Sequence, residues 1–530
     1  MLRIERSAWA LAILSAGLQV VTFPLPNIYV LSWIAVAPLL VALLRARQPE
    51  TLQLQGAEKL QPASPWQGFL LGYLCGILWY GGNCYWVYNT MKQYGGISAA
   101  GAAGLLILFC LYLGLYHGAF GLITCLLAKR SLRTALVLAP FAWVAVELAR
   151  TRISGFPWDL LGITQVDNIP LARIARFTGV YGISFEIMIV NTAFAAALLV
   201  HRRRRTSLLI AALAAAFVLQ IARWTPIPAV PAGRSAVLVQ ANVPILENSD
   251  WTRQYYEATF ADLTKLSLNP PPGESERPDL IVWPESPAPF FSNDAGFRNR
   301  LAQVATSAQS WIVAGSIGME GSGSSQEVFN SAAIINPSGE FVARYDKVHL
   351  VPFGEYLPFP SLLGFAGGLT KEVGTFTPGA SRHALQAGHE KLGIFICYES
   401  IFPDEVRRFA NSGAQVFVNI SNDGWYGDSG AYAQHLKQAR MRAIENDRWL
   451  LRDTNTGVTA AIDPYGRIAQ QAPRKERTAL AASYSLVEGT TFYTRHGDWL
   501  AYACAIISAG AILFSLQRIS PNSVKGRRTA

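Results

Sequence analysis

The chain has 530 residues, 51% of them hydrophobic and only 15% charged, where ordinary globular proteins carry about 25% charged residues. With a mean hydropathy of +0.23, this shortage of charge points to membrane segments. The net charge of +10 does not indicate a nucleic-acid partner, because no RNA- or DNA-binding motif accompanies it and its basic residues cluster beside apolar runs.

The shortage is uneven along the chain. Residues 1–222 are mostly apolar, 234–490 have ordinary soluble composition, and 499–517 are apolar again. This predicts an N-terminal membrane domain of about seven helices, a water-facing domain, and a C-terminal transmembrane helix. A bilayer crossing needs about 20 apolar residues, and the candidate spans are 8–23, 28–45, 66–88, 98–128, 133–150, 182–200, 206–222 and 499–517. The basic start (Arg3, Arg6) also fits a cleaved leader over 8–23. The apolar run that follows at once, with no strong cleavage site, favours a retained helix. With the N-terminus in the cytoplasm, sixteen basic residues fall on the cytoplasmic side, among them Arg202, Arg203, Arg204 and Arg205. The facing loop 89–97 holds only Lys92, and the loop 150–181, with Arg150, Arg152, Arg173 and Arg176, is an exception. The bias places the water-facing domain outside the cytoplasmic membrane.

Within 234–490, short apolar runs at 235–241, 279–283, 311–317, 331–335, 392–397, 416–420 and 449–452 read as strands. They are continuous rather than alternating, as in strands buried on both faces. Helix-like stretches at 251–267, 295–307, 403–411 and 432–446 separate several of them, which predicts an α/β layered domain. Residues 352–380 are apolar yet rich in Pro and Gly, so neither helix nor strand suits them. They read as a lid, packed on the domain or dipping toward lipid.

Of six cysteines, Cys75, Cys84, Cys110, Cys125 and Cys504 fall in predicted spans, where Cys behaves as a small apolar residue. Cys397 is alone in the water-facing domain. It has no disulfide partner there, and no Cys/His spacing supports a metal. It ends an apolar strand and is followed by Tyr398-Glu399-Ser400; strand ends are where α/β folds place their chemistry. A second strand ends in Trp283-Pro284-Glu285-Ser286, and Tyr345-Asp346-Lys347 follows a strand-like segment at 341–344.

These three motifs, in this order and separated by 62 and 50 residues, resemble the Glu–Lys–Cys triad of the nitrilase superfamily. Joined to a membrane part, they resemble the bacterial apolipoprotein N-acyltransferases. Gln240-Ala241-Asn242-Val243-Pro244, Pro352-Phe353-Gly354-Glu355-Tyr356-Leu357-Pro358 and Asn419-Ile420-Ser421-Asn422-Asp423-Gly424-Trp425-Tyr426 extend the match over nearly the whole chain. The resemblance implies an αββα sandwich beside the membrane helices. It implies Cys397 as nucleophile, Glu285 as general base and acid, and Lys347 as oxyanion partner, with Glu355, Tyr398, Glu399 and Trp251 in support. It implies a phospholipid acyl donor, a thioester on Cys397, and the N-terminal amine of a diacylglyceryl apolipoprotein as acceptor. No cofactor or metal is expected, and a monomer is. His349 reads as structural, Asn422-Asp423-Gly424 as a turn, and His435, Arg440, Arg442 and Glu445 as salt-bridging residues on a helix. Two other readings stay open. A membrane-anchored amidase or other hydrolase would use the same three residues with water as acceptor. A transporter with an inactive domain would use ionisable groups in its helices, such as Glu147 and Glu186.

Overall fold

The computed structural model describes residues 4–47, 61–199, 202–246, 250–269, 277–357 and 376–517. Among the described residues, four helices are long and apolar enough to cross a membrane: Ala99–Ala128, Leu132–Ile153, Val180–Leu199 and Trp499–Gln517. Arg6–Val21, Tyr29–Leu44 and Arg205–Ile221 are shorter apolar helical stretches, so seven of the eight predicted segments are apolar helix. Two segments depart from a continuous span. Segment 28–45 is interrupted at Val36, between Ser32–Ala35 and Ala37–Leu44. There the Asn191 side chain takes over the helical ladder, accepting from Val36 N (2.8 Å) and Ala37 N (2.9 Å) and donating to the Ser32 carbonyl (2.8 Å). Segment 66–88 is a helix only over Pro65–Asn83 and restarts at Trp86–Gln93. Its break falls where the Asn83 carbonyl accepts from Gln434 (3.1 Å) and the Asn83 amide donates to Asp159 (2.7 Å).

Small residues let two of these helices touch. A Cβ on Gly72 would lie 2.2 Å from the His117 carbonyl oxygen, and one on Gly121 would lie 2.2 Å from the Gly68 carbonyl oxygen. Gly68, Gly72 and Gly76 recur every fourth residue along one face, the small-residue stripe that brings membrane helices together at backbone distance.

Among the described residues, the water-facing domain holds two six-stranded sheets. In chain order the strands are β1 (Arg234–Gln240), β2 (Leu280–Trp283), β3 (Trp311–Glu320), β4 (Glu327–Ile335), β5 (Phe341–Asp346), β6 (Leu385–Ala387), β7 (Glu390–Ile396), β8 (Val416–Ser421), β9 (Leu450–Thr454), β10 (Ala460–Ile462), β11 (Ile468–Gln471) and β12 (Thr478–Tyr484). One sheet runs β12-β1-β2-β3-β4-β5 and the other β11-β10-β9-β8-β7-β6. β1, β2 and β3 are parallel, as are β7, β8 and β9, while the outer strands are antiparallel. Strand period explains the layering. In the first sheet Leu238, Leu280, Val282 and Val313 join the core shared with β7 and β8, while Val237, Val239, Ile281 and Ile312 pack with Phe260, Phe297 and Leu301 of the covering helices Arg253–Leu268 and Ala295–Ala308. Helices Pro403–Asn411 and Ala431–Asn446 accompany the second sheet, giving the expected αββα sandwich.

The two parts are bolted together. Arg152 pairs with Asp404 (3.3 Å) and Asp498 (2.7 Å), and Arg176 with Asp447 (2.6 Å). Arg173 lies over the Tyr465 ring. Three of the four basic residues that break the charge bias in loop 150–181 thus serve the sandwich, while Arg150 donates to the Tyr80 hydroxyl within the membrane part (2.9 Å). Helix Trp86–Gln93 packs on the turn Asp423–Tyr426, with Thr90 donating to the Trp425 carbonyl and Tyr94 to the Gly424 carbonyl.

Candidate active site

Four strands deliver chemistry to one edge. β2 ends at Trp283, two residues before Glu285; β7 ends at Ile396, one before Cys397; and β8 ends at Ser421, one before Asn422. β5 is antiparallel to β4, which is antiparallel to β3, so β5 runs with β2 and β3 and its end presents Lys347 beside Glu285. The backbone turns sharply at two of these ends, where Ser286 (φ 35°) and Cys397 (φ 50°) adopt the left-handed conformation. That conformation is costly for a residue with a Cβ and persists only where its surroundings enforce it.

Glu285, Lys347, Glu355 and Cys397 are all buried. The Lys347 ammonium donates to Glu355 Oε1 (3.0 Å) and Glu285 Oε1 (3.3 Å). Asn330 on β4 donates to the same two oxygens, at 2.7 and 2.8 Å. The remaining carboxylate oxygens are taken by backbone: Glu285 Oε2 by Asn422 N (2.8 Å) and Glu355 Oε2 by Val351 N (2.7 Å). Burial works against a charged lysine, but Glu355, then Glu285, and Cys397 raise its pKa well above the ordinary lysine range. An ammonium has three N–H groups, and two of them are occupied among the described residues. Burial pushes the Cys397 thiol up; Glu285 adds to that, and Lys347 and the Ser421 hydroxyl oppose it. The resting sulfur is therefore a neutral thiol within electrostatic reach of a carboxylate and an ammonium, an arrangement able to move a proton from sulfur to carboxylate as an electrophile arrives.

Glu399 ties the cysteine turn to the lysine loop. Its Oε1 accepts from Val348 N (2.9 Å), His349 N (3.1 Å) and the Tyr345 hydroxyl (2.9 Å), and its Oε2 from Ile396 N (2.8 Å) and the same hydroxyl (3.0 Å). Burial raises its pKa, against the pull of those backbone donors. A glutamine here has one acceptor fewer and sets an NH2 group against a donor. Glu399→Gln should cost about 1–3 kcal/mol of stability and disturb the thiol of Cys397, because Ile396 immediately precedes it. Thermal unfolding and the reactivity of the Cys397 thiol check both effects.

The other sequence candidates fall into place unevenly. Tyr398 donates to the Gly155 carbonyl of the membrane part (3.2 Å), and its ring meets Phe402 edge-on. Trp251 stands apart from the hydrogen-bonded cluster, against Tyr255 and beside a cavity of about 460 Å³ that Tyr256, Phe291 and Arg300 also line. His349 is held by Glu405 (2.9 Å) and stacked on Phe402. Arg442 pairs with Glu445 (2.9 Å) and Arg440 with Asp167 (2.7 Å), as expected of that helix. His435 does more than salt-bridge, for it also reaches the Cys397 carbonyl. Most of the predicted lid, 358–375, lies outside the described residues. The ends on either side of it are pinned at the site, with Phe376 N donating to the Glu355 carbonyl and Gly379 N to the Lys347 carbonyl. Asn330 escaped sequence reasoning; its only signal is a polar residue inside the apolar run Val328-Phe329-Asn330-Ser331-Ala332.

Residues 246–490 match the carbon–nitrogen hydrolase family, and residues 15–193 match the apolipoprotein N-acyltransferase N-terminal domain. An apolipoprotein N-acyltransferase of Geobacter metallireducens is 34% identical over 98% of this chain and 97% of its own length. One of Methylococcus capsulatus is 36% identical over 88% of this chain and 91% of its own length. Among solved structures, a carbon–nitrogen hydrolase from Helicobacter pylori aligns at 17% identity with a TM-score of 0.36, covering 56% of this chain and 98% of that one. An amidase from Nesterenkonia sp. aligns at 18% with a TM-score of 0.37, covering 53% and 98%. With near-full-length identity above 30% and both component domains present, the chain belongs to the apolipoprotein N-acyltransferase family, multi-pass membrane acyltransferases of the nitrilase superfamily.

Proposed function

We propose that the enzyme takes an acyl chain from a membrane phospholipid onto Cys397 and passes it to the N-terminal amine of a diacylglyceryl apolipoprotein. The observation that carries this reading is the buried Lys347 held between Glu285 and Glu355 at the strand edge that also bears Cys397. In the first half-reaction the sulfur bonds to the ester carbonyl carbon while its proton passes to Glu285. The oxygen becomes an oxyanion facing the remaining N–H of Lys347. The C–O bond then breaks, Glu285 protonates the departing alcohol, and a thioester remains. In the second half, an uncharged amine attacks the thioester, Glu285 takes the amine proton, and the thiol is restored with that proton. Two half-reactions through one covalent intermediate give ping-pong kinetics.

In this reading the chain divides into 1–222, 234–490 and 499–517, acts as a monomer, and holds its sandwich outside the cytoplasm. The charge bias supports that side, because the exceptional arginines Arg152 and Arg176 have partners in the sandwich. The membrane part also has a reason in this reading, since both substrates are lipids.

The test is intact-protein mass spectrometry after mixing the enzyme with phospholipid and no amine. An acyl adduct on Cys397 that persists, and is discharged by an added diacylglyceryl peptide with amide formation, is expected. Full turnover without the adduct would overturn the mechanism. Rapid loss of the adduct to water would instead favour a hydrolase.

A further inference from the structure

The left-handed turn at Cys397 needs more than Glu399 to hold it, since Glu399 fixes only the Ile396 side. On the other side stands His435, fully buried on helix Ala431–Asn446. Its Nε2 lies 3.1 Å from the Cys397 carbonyl oxygen and 2.8 Å from the Ser400 hydroxyl. Its Nδ1 lies 2.9 Å from Asp423 Oδ1 and 3.1 Å from Arg452 Nη2. Asp423 in turn accepts from Arg452 (2.9 Å) and Ser421 (3.0 Å). Burial would raise the Asp423 pKa, yet Arg452 and His435 hold it well below the usual carboxylate range. That carboxylate holds the Arg452 guanidinium against the back of the ring, where it donates to Nδ1.

We propose that His435 is a positioning residue for the nucleophile: Arg452, itself held by Asp423, donates to Nδ1, so that Nε2 carries the ring proton, donates to the Cys397 carbonyl and locks the turn that presents the thiol. The inference rests on Cys397 being the nucleophile. The same ring stacks on Trp158 of the membrane part, whose indole donates to Gln434 (2.8 Å). Gln434 also donates to the Pro24 and Asn83 carbonyls (3.1 Å each). Two consecutive residues thus hold the membrane helices and the nucleophile's carbonyl, and packing of the membrane part bears directly on the turn.

A substitution series with single-turnover acylation of Cys397, followed by mass, tests this. His435→Ala should slow acylation about 10- to 100-fold with little change in the lipid concentration at half-maximal rate. His435→Gln places an amide nitrogen where Nε2 stood and should regain most of the rate. His435→Asn, whose amide reaches only the Nδ1 position, should not. Equal rates for Gln and Asn would overturn the proposal, and so would a His435→Ala rate that falls only in proportion to lost folded protein. If the alanine variant does not fold, the Gln–Asn comparison decides alone. Cys397→Ala in the same assay separates the two levels: retained turnover there removes the nucleophile assignment, whereas an inert Cys397→Ala with equal Gln and Asn rates removes only the role of His435.

Discussion

Cys397→Ala should abolish acyl transfer while leaving the protein folded and inserted. The sulfur is buried at the start of a tight turn, and among the described residues the side chain it hydrogen-bonds is the Ser421 hydroxyl. Alanine therefore removes one small group and leaves the hydrogen bonds of Glu399 and His435 to the flanking backbone in place. Deleting a buried group of this size costs on the order of 1 kcal/mol, so the melting temperature should barely move while the rate vanishes. Cys397→Ser is the sharper variant. It keeps the shape and a proton for Glu285, but a hydroxyl in a site that already pushes a thiol's pKa upward yields no useful anion. We expect its acylation to fall by about 10³-fold or more. Measuring folded yield, melting temperature and acyl adduct together checks this, and a serine variant within tenfold of the parent would show that deprotonation at this position does not limit the reaction.

Much of this site was legible in the sequence because its parts sit where local pattern is strongest. Glu285 and Cys397 each follow an apolar strand buried on both faces, and such runs are readable as strands. The short strands β6, β10 and β11, of three or four residues, carry no such run, and β12 mixes buried and half-buried positions along the edge of its sheet. They escaped for that reason. Asn330 could not be placed, since its value lies in donating to two carboxylates 45 and 25 residues away in sequence. His435 was readable as a helix residue but not as a neighbour of Cys397, 38 positions upstream. The helix breaks at Val36 and Asn83 were illegible for the same reason. Each depends on a side chain from a distant segment, Asn191 or Gln434, that substitutes for a ladder bond. Local propensity sees neither.

Glu285→Gln should lower acylation of Cys397 by phospholipid about 10²- to 10⁴-fold, the range for loss of a positioned general acid–base. The geometry makes this substitution harsher than its size suggests. Glu285 Oε1 receives Lys347 and Asn330, and Oε2 receives Asn422 N. Whichever way the amide is turned, its NH2 group faces a donor, and Lys347 keeps Glu355 as its one remaining carboxylate. Stability should therefore fall as well, and rate must be measured on protein shown to be folded. The choice of donor then separates chemistry from structure. A glycerol alkoxide leaves only if it is protonated, whereas p-nitrophenolate leaves without help. If Glu285 supplies that proton, the variant's defect should be smaller by at least tenfold for a p-nitrophenyl ester than for phospholipid. A defect of the same size for both donors would mean that Glu285 holds Lys347 in place and delivers no proton to the leaving group.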